Sequence, residues 1–253
     1  MRWALVVTLL VCGSAARAET LKEKFDAGVK ALLSGDSEKA RQVFHELHDR
    51  YGVTSPDLLI DLAAAEYEAG HPGQCLLNLH RAILSAPDTP AAETARVAIK
   101  RVRAAMNQAG TQGGFVFGPV SDAWTVVCGW ARPDLAIFGF LALWSLAFLG
   151  LAAWRLARGR GRVFARYLAI VAFCLALPAG VLAYGSNRVA SYRVAVVLAD
   201  GTPMYDAIDS LDKALTLPEG AEVRFIEARG RFARVRLSSG REGYVPEDAL
   251  GLP

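Results

Sequence analysis

The chain has 253 residues, of which 53% are hydrophobic and 21% charged, and its formal net charge at pH 7 is +3. So small a net charge does not indicate a nucleic-acid partner. Of the four cysteines, Cys12 lies in the N-terminal apolar segment and Cys174 in the second long apolar run, and the remaining two, Cys75 and Cys128, are no disulfide framework. The apolar excess is concentrated in an N-terminal segment and two long internal runs, which is typical of an exported membrane protein.

The N-terminus has the organisation of a secretory signal peptide. A basic start and an apolar run from Trp3 to Gly13 precede an A-x-A cleavage site at Ala16-Arg17-Ala18. We expect residues 1–18 to be removed during export. Lipidation at Cys12 is a minor alternative, because the residues before this cysteine are larger than a lipoprotein signal requires.

Residues 21–55 and 56–90 superimpose with a period of 35, close to the 34 residues of a tetratricopeptide repeat. Gly35 and Gly70 mark the turn between the two helices of each repeat. Two antiparallel helices approach closely only where small side chains meet, while larger apolar ones fill the groove between repeats. The positions of this kind are Gly28, Ala40 and Phe44 in the first repeat, and Ala63, Cys75 and Leu79 in the second. We therefore predict an all-α tetratricopeptide-repeat domain over residues 19–109, with Cys75 as a buried packing residue.

The repeats are followed by one more amphipathic helix, for which Thr89 is the N-cap and which closes the stack at Ala109. Arg96, Lys100 and Arg103 share one face of this helix. We favour a solvated face over contact with acidic lipid headgroups.

Catalytic, cofactor-binding or metal-binding residues are not expected. His45-Glu46-Leu47-His48 resembles a zinc-protease motif, but its histidines are three residues apart instead of four. His45 and His80 occupy equivalent places in the two repeats, and we expect both at the surface. No nucleophile turn and no phosphate-binding loop is present in the sequence.

Residues 110–133 form a glycine-rich linker followed by a tryptophan-bearing segment. Ser121 to Trp130 is predicted to be a short helix at the membrane–water interface, with Trp124 and Trp130 as anchors. A core role for the two tryptophans is the alternative. A bridge between Cys75 and Cys128 stays open on the sequence.

Two uncharged runs, Leu135 to Trp154 and Tyr167 to Asn187, are each long enough to cross a hydrocarbon core of about 30 Å. They predict a transmembrane hairpin over residues 134–187. The loop 155–162 between them contains no acid and four arginines, at Arg155, Arg158, Arg160 and Arg162. This bias places the loop in the cytoplasm and both termini of the mature chain in the periplasm of a bacterial inner membrane.

Ala172, Ala176 and Gly180 form a small-residue stripe in the second run, which would let the first run approach closely. Neither run contains an acid, a lysine or a histidine, so a transporter or proton relay is not indicated. We interpret the hairpin as an anchor.

From Tyr192 onward, short alternating strands and glycine-bearing turns predict an all-β barrel over residues 190–253, which we expect to fold alone. The segments that resemble a bacterial SH3 domain are Leu217 to Val223, Phe232 to Val235 and Gly243 to Pro246, the last matching a strand-to-3₁₀ transition. The candidate groove for an extended peptide or a cell-wall stem peptide consists of Tyr205, Phe232, Tyr244 and Pro246. A core or rim role for Phe232 and Tyr244 is equally open.

The order of signal peptide, repeats, tryptophan segment, hairpin and SH3-like barrel resembles the BatE family of the Bacteroides aerotolerance operon. The resemblance implies an inner-membrane protein encoded beside von Willebrand A-domain membrane proteins and a MoxR-type ATPase, with no catalytic residues. We expect a non-enzymatic scaffold that contacts the lipid bilayer and other envelope proteins. The alternative is a sensor whose SH3-like domain binds peptidoglycan.

Overall fold

The computed structural model describes residues 21–109, 115–119, 127–128, 133–156, 158, 160–190, 193–207 and 213–253. The predicted signal peptide, residues 1–18, and the tryptophans Trp124 and Trp130 lie outside the described residues. The described residues form seven helices and one seven-stranded antiparallel sheet.

Five helices precede the apolar hairpin. They are α1 (residues 21–33), α2 (Ser37–His45, continued by a π-helical turn over Glu46–Arg50), α3 (Pro56–Glu68), α4 (Pro72–Ser85) and α5 (Pro90–Gln108). The Ser55 and Thr89 side chains accept hydrogen bonds from backbone N–H groups in the first turns of α3 and α5, and the sequence predicts the cap at Thr89. Each of these two helices also begins with proline, whose missing N–H would have no partner there.

The α1–α2 and α3–α4 turns are built alike, 35 residues apart. Gly35 and Gly70 adopt positive φ angles of 81° and 87°, which disfavour any side chain. The Gly35 N–H donates to the Leu32 carbonyl over 3.0 Å, and the Gly70 N–H donates to the Tyr67 carbonyl over 3.1 Å. In each turn, the backbone N–H of the residue after the glycine donates to the carbonyl oxygen five positions earlier in the chain. The predicted period of the two helical hairpins is therefore present in the fold.

The predicted packing positions lie inside the helical array. A Cβ atom on Gly28 would lie 2.5 Å from the Phe44 ring, so only glycine allows α1 and α2 this close. The other predicted packing residues are all buried, namely Ala40, Phe44, Ala63, Cys75 and Leu79. Burial raises the pKa of the Cys75 thiol to about 12, so this cysteine is an unreactive packing residue. Cys75 and Cys128 are both free thiols.

Helices α6 (Pro133–Leu156) and α7 (Arg160–Ala190) form the apolar hairpin. The side of α7 that is buried consists of small residues spaced three or four apart, Ala165, Ala169, Ala172 and Ala176, with Ala183 further on. A Cβ atom on Gly180 would lie 3.0 Å from the Phe140 ring. The predicted stripe of Ala172, Ala176 and Gly180 therefore faces α6, where small side chains permit close approach.

Two segments of the hairpin, Asp134–Leu156 and Gly161–Asn187, are long and apolar enough to span a membrane, with a mean hydropathy of 2.2 each. The helices extend into the loop predicted over residues 155–162. Arg155 lies in α6, and Arg160 and Arg162 lie in α7, so only residues 157–159 separate the helices. The predicted loop was too long because arginine is a good helix former and no proline stops either helix there.

Seven strands follow. They are β1 (Arg193–Val197), β2 (Thr202–Tyr205), β3 (Lys213–Leu217), β4 (Glu222–Arg229), β5 (Phe232–Arg236), β6 (Glu242–Pro246) and β7 (Leu250–Gly251), in the sheet order β3-β2-β6-β5-β4-β1-β7. A 3₁₀ turn over Glu247–Ala249 follows β6, as the Gly243 to Pro246 segment predicts. The sequence pattern does not indicate β2, which contains a proline, or β7, which has only two residues.

The sheet is not the closed barrel that the sequence led us to expect, because β3 and β7 are unpaired edges in its strand order. Bulges between Met204 and Tyr205 and between Phe225 and Glu227 bend the strands around a buried apolar cluster. At the β7 edge, a Cβ atom on Gly251 would lie 2.7 Å from the Leu77 side chain of α4. Helix α4 therefore covers the β7 edge of the sheet. A closed barrel would have no such edge.

Candidate functional site

The helical array and the β-sheet belong to one compact unit, although the sequence predicts separate domains over residues 19–109 and 190–253. Val196 of β1 lies in the same buried cluster as Leu59 and Leu76 of the helices. Without the helices, residues 190–253 would expose this valine together with the carboxylate of Glu222. The structure therefore argues against independent folding of residues 190–253.

The centre of this contact is the carboxylate of Glu222, a residue only 5% exposed at the start of β4. Its Oε1 lies 2.6 Å from Nε2 of His80 in α4, and its Oε2 accepts a 2.8 Å hydrogen bond from Nε of Arg103 in α5. A buried carboxylate is tolerated only when it is paired and hydrogen-bonded in this way. The sequence predicts His80 at the surface and Arg103 on a solvated face. Both predictions are incomplete, because the two side chains bind the buried carboxylate. Their partner is 142 and 119 residues away in the chain, so no local pattern indicates it.

Glycines allow the backbone of the sheet to approach the helices around Glu222. A Cβ atom on Gly73 would lie 2.7 Å from the Val197 carbonyl oxygen, and one on Gly220 would lie 2.5 Å from Cε of Met106. The Gly73 N–H donates a 3.0 Å hydrogen bond to Oε1 of Glu219. Burial raises the pKa of Glu219, and the hydrogen bond from Gly73 opposes that shift. The sheet and the helices therefore approach each other closely beside the ion pairs of Glu222.

A second histidine–carboxylate pair lies inside the helical array. Nε2 of His45 is 2.6 Å from Oε1 of Glu66, whose side chain is 1% exposed, so His45 is also more than a surface residue. The other carboxylate oxygen of Glu66 is buried and has no hydrogen-bond partner among the described residues. The hydrogen bond that His45 donates to Glu66 raises the pKa of His45 against the opposing effect of burial. Within the described part of the chain, no three His, Cys, Asp or Glu side chains form a group that could hold a metal ion.

Three of the four residues predicted to form a groove on the sheet lie together. Tyr205, Phe232 and Pro246 line an open groove of about 560 Å³, and the Tyr205 and Phe232 rings meet edge to face with centroids 5.8 Å apart. Tyr244 is the cross-strand partner of Tyr205, so its side chain stands on the same face of the sheet, but it does not line the groove. This aromatic groove can hold an extended, partly apolar segment.

The charged side chains along β5 and β6 and those that line the aromatic groove are arranged differently. Along β5 and β6, Glu242 pairs with Arg236 and Arg234, which together lower its pKa. Arg231 and the acidic pair Glu247 and Asp248 line the groove and make no ion pair with any other described residue. A ligand with charges of both signs would therefore find partners among these three side chains.

A second groove, which the sequence analysis did not locate, runs between α3 and α5 on the helical array. Its volume is about 850 Å³, and Cys75 and Leu79 of α4 lie at its base. Tyr67 and Val97 line it and are 41% and 38% exposed, so the groove presents apolar side chains at its surface. The helical spacing of Ile60, Ala63, Ala64 and Tyr67 could have indicated this apolar face.

Comparisons with protein-family models, with curated proteins and with solved structures gave no match to this chain.

Replacement of the buried carboxylate should weaken the contact between the helices and the sheet. Glu222→Gln removes the charge that pairs with Arg103 and His80, and breaking a buried pair typically costs about 3–5 kcal/mol. We expect a lower free energy of unfolding for the full-length protein in detergent, followed by near-ultraviolet circular dichroism in urea. Glu242→Gln is the matched control, because its half-exposed ion pairs should contribute less than about 1 kcal/mol each. Equal losses in the two variants would contradict a special role for Glu222.

The stability of the protein should fall as the pH rises above neutrality. The pKa of His45 is raised above its ordinary value of 6.5, so its protonation contributes stability that is fully present below pH 6.5. This contribution is lost as the pH rises through the folded-state pKa. In His45→Gln, the difference between the unfolding free energies at pH 6 and pH 8 should therefore shrink. His71→Gln, at an exposed position, should keep the wild-type difference. An unchanged pH dependence in His45→Gln would contradict the assignment.

Proposed function

We propose that the protein is a non-enzymatic scaffold of the bacterial inner membrane, anchored by the two-span hairpin and binding other envelope proteins in the periplasm. The observation that carries the proposal is that two apolar grooves, one on the helices and one on the sheet, lie on a single compact unit. Helix stacks commonly bind peptide segments along such grooves. A scaffold needs two binding surfaces with a fixed spacing, and the buried contact at Glu222 supplies it.

The assignment of the two modules supports this function. The 35-residue period, the paired glycine turns and the buried small residues favour tetratricopeptide repeats for α1–α4. The strand-to-3₁₀ transition after β6 and the aromatic groove favour a bacterial SH3 domain, in spite of the open strand order. Neither class of module has chemistry as its usual role.

The membrane orientation follows from the distribution of charge. Arginines are concentrated where α6 and α7 meet, and the sequence from Leu135 to Ala199 contains no Asp or Glu. Under the positive-inside rule this end of the hairpin lies in the cytoplasm, so the helical array and the sheet lie in the periplasm. The resemblance to the BatE family suggests von Willebrand A-domain membrane proteins as partners of the groove between α3 and α5.

A sensor that binds the cell wall is a second candidate, and the aromatic groove specifically favours it. A stem peptide of peptidoglycan is extended and carries both amine and carboxylate groups. Such a ligand would place apolar side chains against Tyr205 and Phe232, and its charges against Arg231 and Glu247.

Site-specific crosslinking tests the scaffold. A photoreactive residue at Val97, in the groove between α3 and α5, should capture another membrane protein in intact cells. The same residue at Lys100 is the matched control, since Lys100 is exposed on the same helix but outside the groove. Tyr67→Ala should reduce capture from position 97, because it removes an apolar contact of the groove. Equal capture from both positions, or capture unchanged by Tyr67→Ala, would show that this groove is not the docking surface.

The sensor is tested by binding of the full-length protein in detergent to purified peptidoglycan fragments. Tyr205→Ala should weaken binding about tenfold or more, since stacking on one aromatic ring is typically worth about 1–3 kcal/mol. Ile226→Ala is the matched control, because Ile226 is 40% exposed on β4 and does not line the groove. Binding that is absent from the wild type, or equally affected by both changes, would exclude the sensor.

A further inference from the structure

An apolar cleft of about 380 Å³ opens between α6 and α7. It is lined by Trp144, Phe148, Trp154, Ile170 and Phe173, and among its lining residues only Arg166 is charged. The cleft lies entirely within the hairpin and takes no part in the two grooves described above.

The cleft exists because the small and the large side chains of the hairpin pack differently. On the seam of small residues, a Cβ atom on Gly150 would lie 3.1 Å from Ala169, so the helix backbones are in close contact. Beside this seam, Trp144 packs against Phe148 and Phe173, with ring centroids 5.5 and 5.8 Å apart. These large rings hold the side chains of the two helices apart and leave the space between them unfilled.

The cleft has the length of one lipid leaflet. It runs from Trp144 to Trp154 of α6, and ten residues of α-helix rise roughly 15 Å. That is half of a hydrocarbon core of about 30 Å. The cleft therefore reaches from the arginine-bearing end of the hairpin to about the bilayer midplane, which matches one acyl chain rather than a peptide or a spanning helix.

The mouth of the cleft is strongly basic. Arg166 lines it, and the Arg162 guanidinium lies 5.8 Å from the centroid of the Trp154 ring at the same end. The hairpin sequence from Leu135 onward offers these arginines no carboxylate. A cation beside a hydrocarbon surface needs an anionic partner, and long basic side chains extend toward the headgroup level to find one.

We propose that the cleft binds an anionic phospholipid of the leaflet at the arginine end, with one acyl chain against Trp144 and Phe173 and the phosphate beside Arg166 and Arg162. This inference rests on the proposed function, since it requires the hairpin to span a membrane. The lipid would complete the packing of the open face of the hairpin and neutralise its basic end.

Native mass spectrometry of the full-length protein tests the site, with phosphatidylglycerol and phosphatidylcholine of identical chains as the probes. Wild-type protein should retain phosphatidylglycerol preferentially, and Arg166→Gln should lose about fivefold in affinity, since one basic residue near an anionic headgroup is worth about 1 kcal/mol. Arg193→Gln, in β1 after the far end of α7 and outside the cleft, should keep the wild-type affinity. Cys174→Trp, which fills part of the cleft, should weaken retention of both lipids.

Equal retention of the two lipids by the wild type, or equal effects of Arg166→Gln and Arg193→Gln, would overturn the lipid site. Loss of phosphatidylglycerol to competing inorganic phosphate would also overturn it, because the acyl chain would then contribute nothing. Resistance of the protein to alkaline extraction from membranes is measured in parallel. Protein that is extracted refutes the proposed membrane anchor, whereas protein that resists extraction and shows no lipid preference refutes only the lipid site.

Discussion

The buried carboxylate of Glu222 is the constraint on which the arrangement of the helices and the sheet depends. A charge at this depth is stable only while His80 and Arg103 supply their hydrogen bonds, and these two residues come from different helices. Folding of the sheet onto the array and satisfaction of the charge are therefore one event. The close glycine contacts at Gly73 and Gly220 exclude side chains that would separate the surfaces and admit water to the ion pairs.

The pairing of histidine with a buried carboxylate occurs twice, at equivalent positions of the two repeats. His45 pairs with Glu66 on the next helix of the array, and His80 pairs with Glu222 on the sheet. At the end of the array, the sheet therefore makes with His80 the contact that the next helix makes with His45. This explains how an array of only two helical hairpins and one further helix is stable, since such stacks usually need three repeats or a capping element.

The groove between α3 and α5 and the cleft of the hairpin are both places where apolar side chains are incompletely packed. Small residues let α3, α4 and α5 approach one another at the base of the groove. The exposed side chains of Tyr67 and Val97 have no covering element within the described residues. In the hairpin, an open aromatic cleft lies beside a closely packed small-residue seam. The proposed scaffold requires open binding surfaces next to well-packed regions, because rigid neighbouring elements keep the binding surfaces in a fixed geometry.

The sequence by itself determined the features that depend on local pattern. Glycine turns at Gly35 and Gly70, N-caps at Ser55 and Thr89, and two uncharged runs follow from backbone sterics, capping and transfer free energy over short windows. Only the tertiary structure decided that the sheet stays open, that Tyr205, Phe232 and Pro246 line a groove without Tyr244, and that Glu222 joins the helices. The partners of Glu222 lie 142 and 119 residues away in the chain, and periodicity shows which face of an element is apolar but not which element covers it.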